Sequence, residues 1–278
     1  MLKQPHCCGK RCDVPLHQQN PFIINGYRMH HETYVECVKS LFRFHNESLN
    51  IWTHLLGAIW FLQKLVNFAP SVRLDSLEDL VVVFSLLGCL GCLGTSAWFH
   101  LCICLPCPNH YECLLKMDFF GIMVVTFTLY LAGVCLVFGG GRWALQAIYV
   151  LYAMLSAVIA SLPLTVTHLS KFTRASLACF GFSALLPISH WFAIATPEEV
   201  HAFFPPLVSL SLCFCLGMVI YATAWPERHF EGYFDYFFHS HQLWHVLVFY
   251  GLESAVQGIT ALHSLRRSPY AVYLVFVF

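Results

Sequence analysis

His241 and His245 stand four residues apart in the run Ser240-His241-Gln242-Leu243-Trp244-His245. On a helix this spacing places one side chain a turn above the other, so both imidazoles can aim at a single point. The same spacing joins Ser96 to His100 in Ser96-Ala97-Trp98-Phe99-His100, and Lys116-Met117-Asp118 follows. Three imidazoles, His100, His241 and His245, brought from two helices would hold a tetrahedral Zn2+ with one position open, as catalytic rather than closed structural sites do. Neutral imidazole suits zinc, and the absence of a thiolate from the set argues against a soft-metal site. Asp118 would orient a ligand histidine or hold the metal-bound water, whose pKa zinc lowers to about 7. Each piece also has an ordinary reading. H-x-x-x-H without the Glu of metalloproteases is a weak signal in a chain with 16 His. Ser96 reads equally as a helix-packing hydroxyl, and Asp118 as a partner for a helix dipole.

The elements that must carry these residues are apolar helices. The chain has 278 residues, 58% hydrophobic and 11% charged, against about 25% charged in a soluble domain. No Asp, Glu, Lys or Arg occurs in 80–111 or in 143–170, and each run exceeds the roughly 20 residues that cross a bilayer. Fifteen Lys and Arg balance fifteen Asp and Glu, so neither a basic nucleic-acid-binding protein nor an acidic tail is indicated. Seven apolar stretches of spanning length run at about 49–68, 80–104, 117–137, 143–167, 175–194, 203–224 and 240–265. They are too long and too uniformly apolar for the alternating strands of a barrel. The fold expected is an all-α, integral-membrane bundle of seven transmembrane helices. Crossing parity adds a constraint: the end of an even-numbered span and the start of an odd-numbered one emerge on the same side. The groups at Ser96–His100, Asp118 and His241–His245 therefore share one membrane face.

Residues 1–48 are polar, with no apolar core before a small-residue cleavage site, so no secretory signal is expected. Six Lys or Arg in this tail (Lys3, Lys10, Arg11, Arg28, Lys39, Arg43) and four in loops on its side (Lys116, Lys171, Arg174, Arg228) face five on the other (Lys64, Arg73, Arg142, Arg266, Arg267). The excess favours a cytosolic amino terminus, hence an extracytosolic carboxyl terminus. The expected organisation is a cytosolic tail over 1–48, a seven-helix domain with an intramembrane zinc site over 49–265, and a short extracytosolic tail over 266–278. Several of the 14 Cys, such as Cys89, Cys92, Cys135, Cys179, Cys213 and Cys215, sit inside apolar spans and read as small buried hydrophobes. Two clusters stand apart: His6, Cys7, Cys8 and Cys12, and Cys102, Cys104, Cys107 and Cys113. Neither has the two C-x-x-C pairs of a structural zinc site, so palmitoylation or no role is favoured over a metal.

Several motifs together resemble the progestin and adiponectin receptor family. They are Gly26-Tyr27-Arg28, Asn46-Glu47-Ser48-Leu49-Asn50-Ile51-Trp52-Thr53-His54, Ser96 with His100, Asp118, Pro187-Ile188-Ser189-His190, Pro226-Glu227-Arg228 and Ser240 to His245. In detail they are most similar to the adiponectin-receptor branch, including its Golgi-resident, Raf-sequestering relative. The resemblance implies a seven-helix bundle with a cytosolic amino terminus and a zinc near the cytosolic side. By motif match it assigns the zinc ligands to His100, His241 and His245, and the site serine and aspartate to Ser96 and Asp118. It also implies ceramidase-like chemistry, in which a zinc-activated water attacks the amide carbon, Asp118 acts as base and Ser96 supports the site or the oxyanion.

Three functions compete. One is an adiponectin-receptor-like receptor with a zinc-dependent hydrolase site for a ceramide-like amide lipid, releasing a fatty acid. The second is a Golgi-membrane scaffold that tethers a cytosolic signalling partner such as Raf around a structural zinc. The third is a progestin-type steroid receptor. The partners expected are membrane lipids, an extracellular protein ligand or a cytosolic partner, and a second copy in a homodimer, with no nucleic acid. The host membrane is the plasma membrane or that of Golgi or endoplasmic reticulum. Asn50, Thr53 and His54 are read as interhelical hydrogen-bonding groups. His190 lines a cavity or satisfies a carbonyl freed near Pro187, and Glu253 has only a pairing helix or a separate polar path to explain it.

Overall fold

The computed structural model describes residues 8–29, 33–165 and 171–267. His6 and Cys7 of the amino-terminal cluster, the end of the span at 143–167 and the uncharged end 270–278 lie outside the described residues. Among those described are a two-stranded hairpin, β1 (Cys8–Lys10) with β2 (Asn25–Arg28), and the helices α1 (Tyr34–Ser40), α2 (Ser48–Phe68), α3 (Leu77–Cys102), α4 (Pro108–Val137), α5 (Trp143–Ser161), α6 (Lys171–Ser183), α7 (Leu185–Ile194), α8 (Pro197–Thr223) and α9 (Ser240–Arg267). Five helical stretches are long and apolar enough to cross a membrane: α3, α4, α8, Trp143–Thr165 and Phe172–Ile194. This is a multi-pass helical membrane protein.

The stretches expected to be the first and last spans, α2 and α9, are helices of 21 and 28 residues. They are missing from the strongly apolar set because of their polar residues. Helix α2 carries Asn50, His54, Gln63 and Lys64, and α9 carries His241, Gln242, His245, Glu253 and His263. Two boundaries also differ from expectation. Helix α4 begins at Pro108, so Asp118 lies in its third turn rather than at its start. The fifth stretch is interrupted at Ala184, where α6 gives way to α7, with Pro187 in the first turn of α7.

The chain divides into two compact units. The first comprises the described residues of Met1–Gly57, Leu93–Asp118 and Leu212–Tyr250. Here the polar amino-terminal segment is folded, because buried polar groups reach it from distant sequence. Asp235 is 2% exposed, and its carboxylate accepts from Ile24 N and Asn25 N at 2.9 Å and from Asn25 Nδ2 at 3.0 Å. That holds the hairpin, in which Cys8 pairs with Arg28 and Gly9 with Tyr27. Gly26 has φ +86°, a conformation that favours glycine, and a Cβ there would crowd the Tyr236 ring at 3.1 Å. Burial pushes the Tyr27 phenol up to about 12, so it stays protonated. Its oxygen meets the carbonyls of Asn20 and Ile23 at 3.2 Å. Helix α1 starts with a reciprocal cap: Thr33 Oγ1 accepts from Glu36 N, and Glu36 Oε2 accepts from Thr33 N. At Gly57 a Cβ would meet Leu93 Cδ1 at 2.8 Å and Phe249 Cδ2 at 2.9 Å. The missing side chain lets α2 approach α3 and α9 closely.

The second unit comprises the described residues of Ala58–Cys92, Phe119–Ser211 and Gly251–Phe278. Its buried charges are paired, as charges inside lipid must be. Glu253 meets Lys64 Nζ at 2.5 Å and accepts from Trp60 Nε1 at 2.8 Å and Gln257 Nε2 at 3.1 Å. Glu253 therefore pairs with another helix. Asp79, fully buried, accepts from Arg73 Nε at 3.0 Å and lies 2.6 Å from His263 Nε2. Arg266 donates to Glu199 at 2.6 Å. His190 Nδ1 lies 2.7 Å from the Tyr149 hydroxyl, so its partner is a phenol and not a freed carbonyl.

Asp235→Ala removes three acceptor contacts to a buried carboxylate. It is expected to destabilise the first unit by about 3 kcal/mol and to make the segment around residues 20–28 a new cleavage site in limited proteolysis. An unchanged melting temperature and digest would show that the hairpin is held by other contacts.

Candidate metal centre

Helix α9 is anchored at its first turn by a buried acid. Glu227 Oε2 accepts from Ser240 N at 2.7 Å, and Glu227 Oε1 accepts from the Ser240 hydroxyl. A carboxylate at this end satisfies amides left free by helix geometry and complements the dipole. Gln242 Nε2 adds hydrogen bonds to Asn46 O at 3.0 Å and Tyr236 O at 2.9 Å. These contacts set the rotation of the helix that bears His241 and His245. His100 lies in the last turn of α3, and that end is held by Arg28. The guanidinium is 4% exposed and donates to His100 O at 2.5 Å, Leu101 O at 2.8 Å and Ser40 Oγ at 2.8 Å. It satisfies helix-terminal carbonyls that have no partner within the helix.

The three imidazoles meet. His241 Nε2 lies 3.2 Å from His100 Nε2 and 3.3 Å from His245 Nε2. The ligand atoms of all three lie within 4.8 Å of one another, so the group could hold a metal ion. The opposite edges of two rings are already committed. His100 Nδ1 donates to Glu47 Oε2 at 2.7 Å, and His245 Nδ1 donates to Asn50 O at 3.1 Å. With Nδ1 carrying the proton, Nε2 of both rings presents a lone pair to the centre. His241 Nε2–H could donate to only one of the two, which leaves lone pairs opposed in a buried place. A cation resolves this conflict. Metal–nitrogen bonds of about 2.0 to 2.1 Å in a tetrahedron put neighbouring nitrogens about 3.3 Å apart, the spacing found for both pairs.

Glu47 is held as the anion. Burial would raise its pKa, but the hydrogen bonds from the His100 ring and the Asn50 amide outweigh burial and hold it well below the usual carboxylate range. Asn50 Nδ2 donates to Glu47 Oε2 at 2.7 Å. His54 stacks on His245, with centroids 3.7 Å apart and planes at 17°. Ser96 is 3% exposed, one turn before His100. Its hydroxyl pairs with the carboxyl of half-buried Asp118, which also interacts electrostatically with His100.

All five residues singled out from sequence, His100, His241, His245, Ser96 and Asp118, thus fall in the first unit and interact as one cluster. In the sequence Glu47 stood only as part of a motif, and Asn50 and His54 read as interhelical hydrogen-bonding groups without named partners. Their spacing of three and four residues, which marks one helix face, was the available signal. Among the described residues the cysteines form no comparable group. Cys104 Sγ lies 3.6 Å from Cys37 Sγ in an apolar cluster with Ile51, Phe99 and Leu105.

A multi-pass helical membrane protein with a buried, metal-competent trio of histidines on two of its helices is the class that fold and site define. The chain belongs to the haemolysin-III related family, whose profile matches residues 42–254 and so includes every residue of the cluster. It is similar to the adiponectin receptor protein of Drosophila melanogaster, at 29% identity over 90% of this chain and 58% of that one. It is 29% identical to progestin and adipoQ receptor family member 3 of Mus musculus over 92% of this chain and 87% of the other. The ADIPOR-like receptor IZH2 of Saccharomyces cerevisiae is 28% identical over 89% and 81%. The chain spans little more than half the length of the fly protein and of relatives in fission yeast and worm. The family resemblance carried by the motifs is therefore shown across most of the chain.

Glu47→Gln keeps the side-chain size and removes its charge. It is expected to weaken metal affinity about 10- to 100-fold, as measured by chelator competition on the purified protein. Equal affinities for the variant and the parent would remove Glu47 from any role in orienting His100.

Proposed function

We propose that this protein is an adiponectin-receptor-type membrane receptor whose buried histidine cluster is a zinc-dependent hydrolase site for ceramide-like lipid amides. The observation that carries the reading is the meeting of three Nε2 atoms at 3.2 and 3.3 Å, with two of the rings fixed from behind. An all-imidazole set suits zinc among the common divalent ions. His100, His241 and His245 would hold it, and Glu47 and the Asn50 carbonyl keep two of the rings in the ligating tautomer. When bound, zinc supplies Lewis acidity, polarising a carbonyl and acidifying water. Asp118 takes a proton from the water that attacks the amide carbon and returns it to the departing nitrogen. A C–O bond forms, the C–N bond breaks, and the products are a fatty acid and an amine. Ser96 keeps the Asp118 carboxyl in place. Lipid around the bundle supplies the substrate and excludes bulk water.

The same reading fixes a topology. Helices α2 and α9 form the first and last of seven crossings, with α6 and α7 together as the fifth. Their polar residues turn inward, onto partners such as those of Glu47, His245 and Glu253. The excess of Lys and Arg in and near residues 1–48 puts the amino terminus in the cytosol. The cluster then lies towards the cytosolic leaflet.

Purified protein is expected to contain about one zinc per chain, the stoichiometry of a single three-histidine site, by elemental analysis. The triple variant His100→Ala, His241→Ala, His245→Ala should contain none, and full retention of metal there would eliminate the site. Asp118→Asn should retain zinc and lower fatty-acid release from ceramide by at least about 100-fold. Undiminished release would reject its role as base. An amino-terminal epitope should be reached by antibody in cells only after permeabilisation, and staining of intact plasma membranes would reverse the topology.

A further inference from the structure

The α2 face that supports the histidines carries two polar groups that the metal chemistry does not use. Asn50 is 1% exposed and His54 is 4% exposed. Neither Asn50 Oδ1 nor either ring nitrogen of His54 has a partner in hydrogen-bonding geometry. The His245 backbone lies near the His54 ring, but not in that geometry. The orientation of the Asn50 amide is not arbitrary. Its other atom faces the Glu47 carboxylate at 2.7 Å, and a carboxylate requires a donor, so the NH2 is fixed on Glu47 and the oxygen is left over. His54 is likewise held by stacking on His245, and a neutral imidazole always carries one N–H. Unsatisfied buried groups are costly, and two together on one face of a helix beside a reactive centre call for a ligand.

We infer that Asn50 Oδ1 and the His54 ring N–H are the acceptor and donor that read the amide of the lipid, the lipid N–H donating to Asn50 and the lipid carbonyl accepting from His54. This assignment rests on the hydrolase reading above and names the feature of the substrate that the site recognises. The dimensions agree. Residues four apart on a helix are separated by about 6 Å of rise. An amide bonded on opposite edges through two hydrogen bonds of about 2.9 Å bridges roughly 6 to 8 Å. The carbonyl oxygen has two lone pairs, so a bond from His54 leaves the other free. An ester of the same shape keeps the carbonyl but has no N–H, and would leave Asn50 Oδ1 stranded opposite an oxygen. Sites built around a substrate N–H discriminate against analogues without it for this reason.

The consequences for the two residues differ. Binding is measured in zinc-loaded Asp118→Asn protein, by displacement of a fluorescent ceramide with either ceramide or its O-acyl ester analogue. The amide is expected to bind at least about tenfold more tightly than the ester. In Asn50→Leu that ratio should fall to near one. In His54→Phe, which keeps the stacked ring, both ligands should weaken together and the ratio should persist. Because each ratio compares two ligands on one protein, a general loss of stability or metal does not mimic the effect. A ratio near one in the Asn50 parent, or one unaltered by Asn50→Leu, overturns the assignment. If the wild-type protein prefers the amide but releases no fatty acid, hydrolysis falls and recognition stands. If it releases fatty acid without preference for the amide, the reverse holds.

Discussion

Three imidazole nitrogens brought within 4.8 Å of one another, away from water, are an unstable arrangement unless a cation lies among them. The first unit is organised around that constraint. Each ring must be held against the repulsion of its neighbours, and the holding groups are themselves buried. Glu47 and the Asn50 carbonyl fix two rings from behind, at 2.7 and 3.1 Å. Arg28 grips the end of α3 that carries one ligand, while Glu227 and Gln242 fix the start of the helix that carries the other two. A site supported this way is preformed, so little reorganisation would be needed on metal binding.

The same constraint explains the composition of the helices. A polar side chain is tolerated in lipid only if it has a partner, so helices that bring partners become less apolar. Helices α2 and α9 show this in both units. In the first, Glu47, Asn50 and His54 precede or occupy the start of α2, and His241 and His245 the start of α9. In the second, Lys64 of α2 meets Glu253 of α9, and Asp79 of α3 meets His263 of α9. Helices α5 and α8 carry such partners only in part, as where Tyr149 meets His190 and Glu199 meets Arg266, and most of their spanning residues are exposed.

Much of the site was legible in the sequence because its signals are local or topological. Four-residue spacing aligned His241 with His245 and Ser96 with His100, and crossing parity put three distant motifs on one face. The supporting groups were not legible. Glu47 was visible as part of a motif, but its partner His100 lies 53 residues away, and nothing local reveals which ring a carboxylate will face. Asp235 is more remote still, 211 residues from the amide it accepts from. For that reason the polar amino-terminal segment read as a tail, although residues 8–28 include a folded hairpin.

Sequence by itself determined that the chain is a helical membrane protein with chemistry concentrated in a few motifs, because spans and helix faces follow from apolar length and from 3.6 residues per turn. Tertiary structure alone decided which nitrogens converge, which tautomer His100 and His245 take, where α4 begins relative to Asp118, and which polar atoms remain without a partner. Those depend on differences of a few tenths of an ångström in contacts between residues far apart in the chain, and hydrogen bonds at that range leave no period in the sequence.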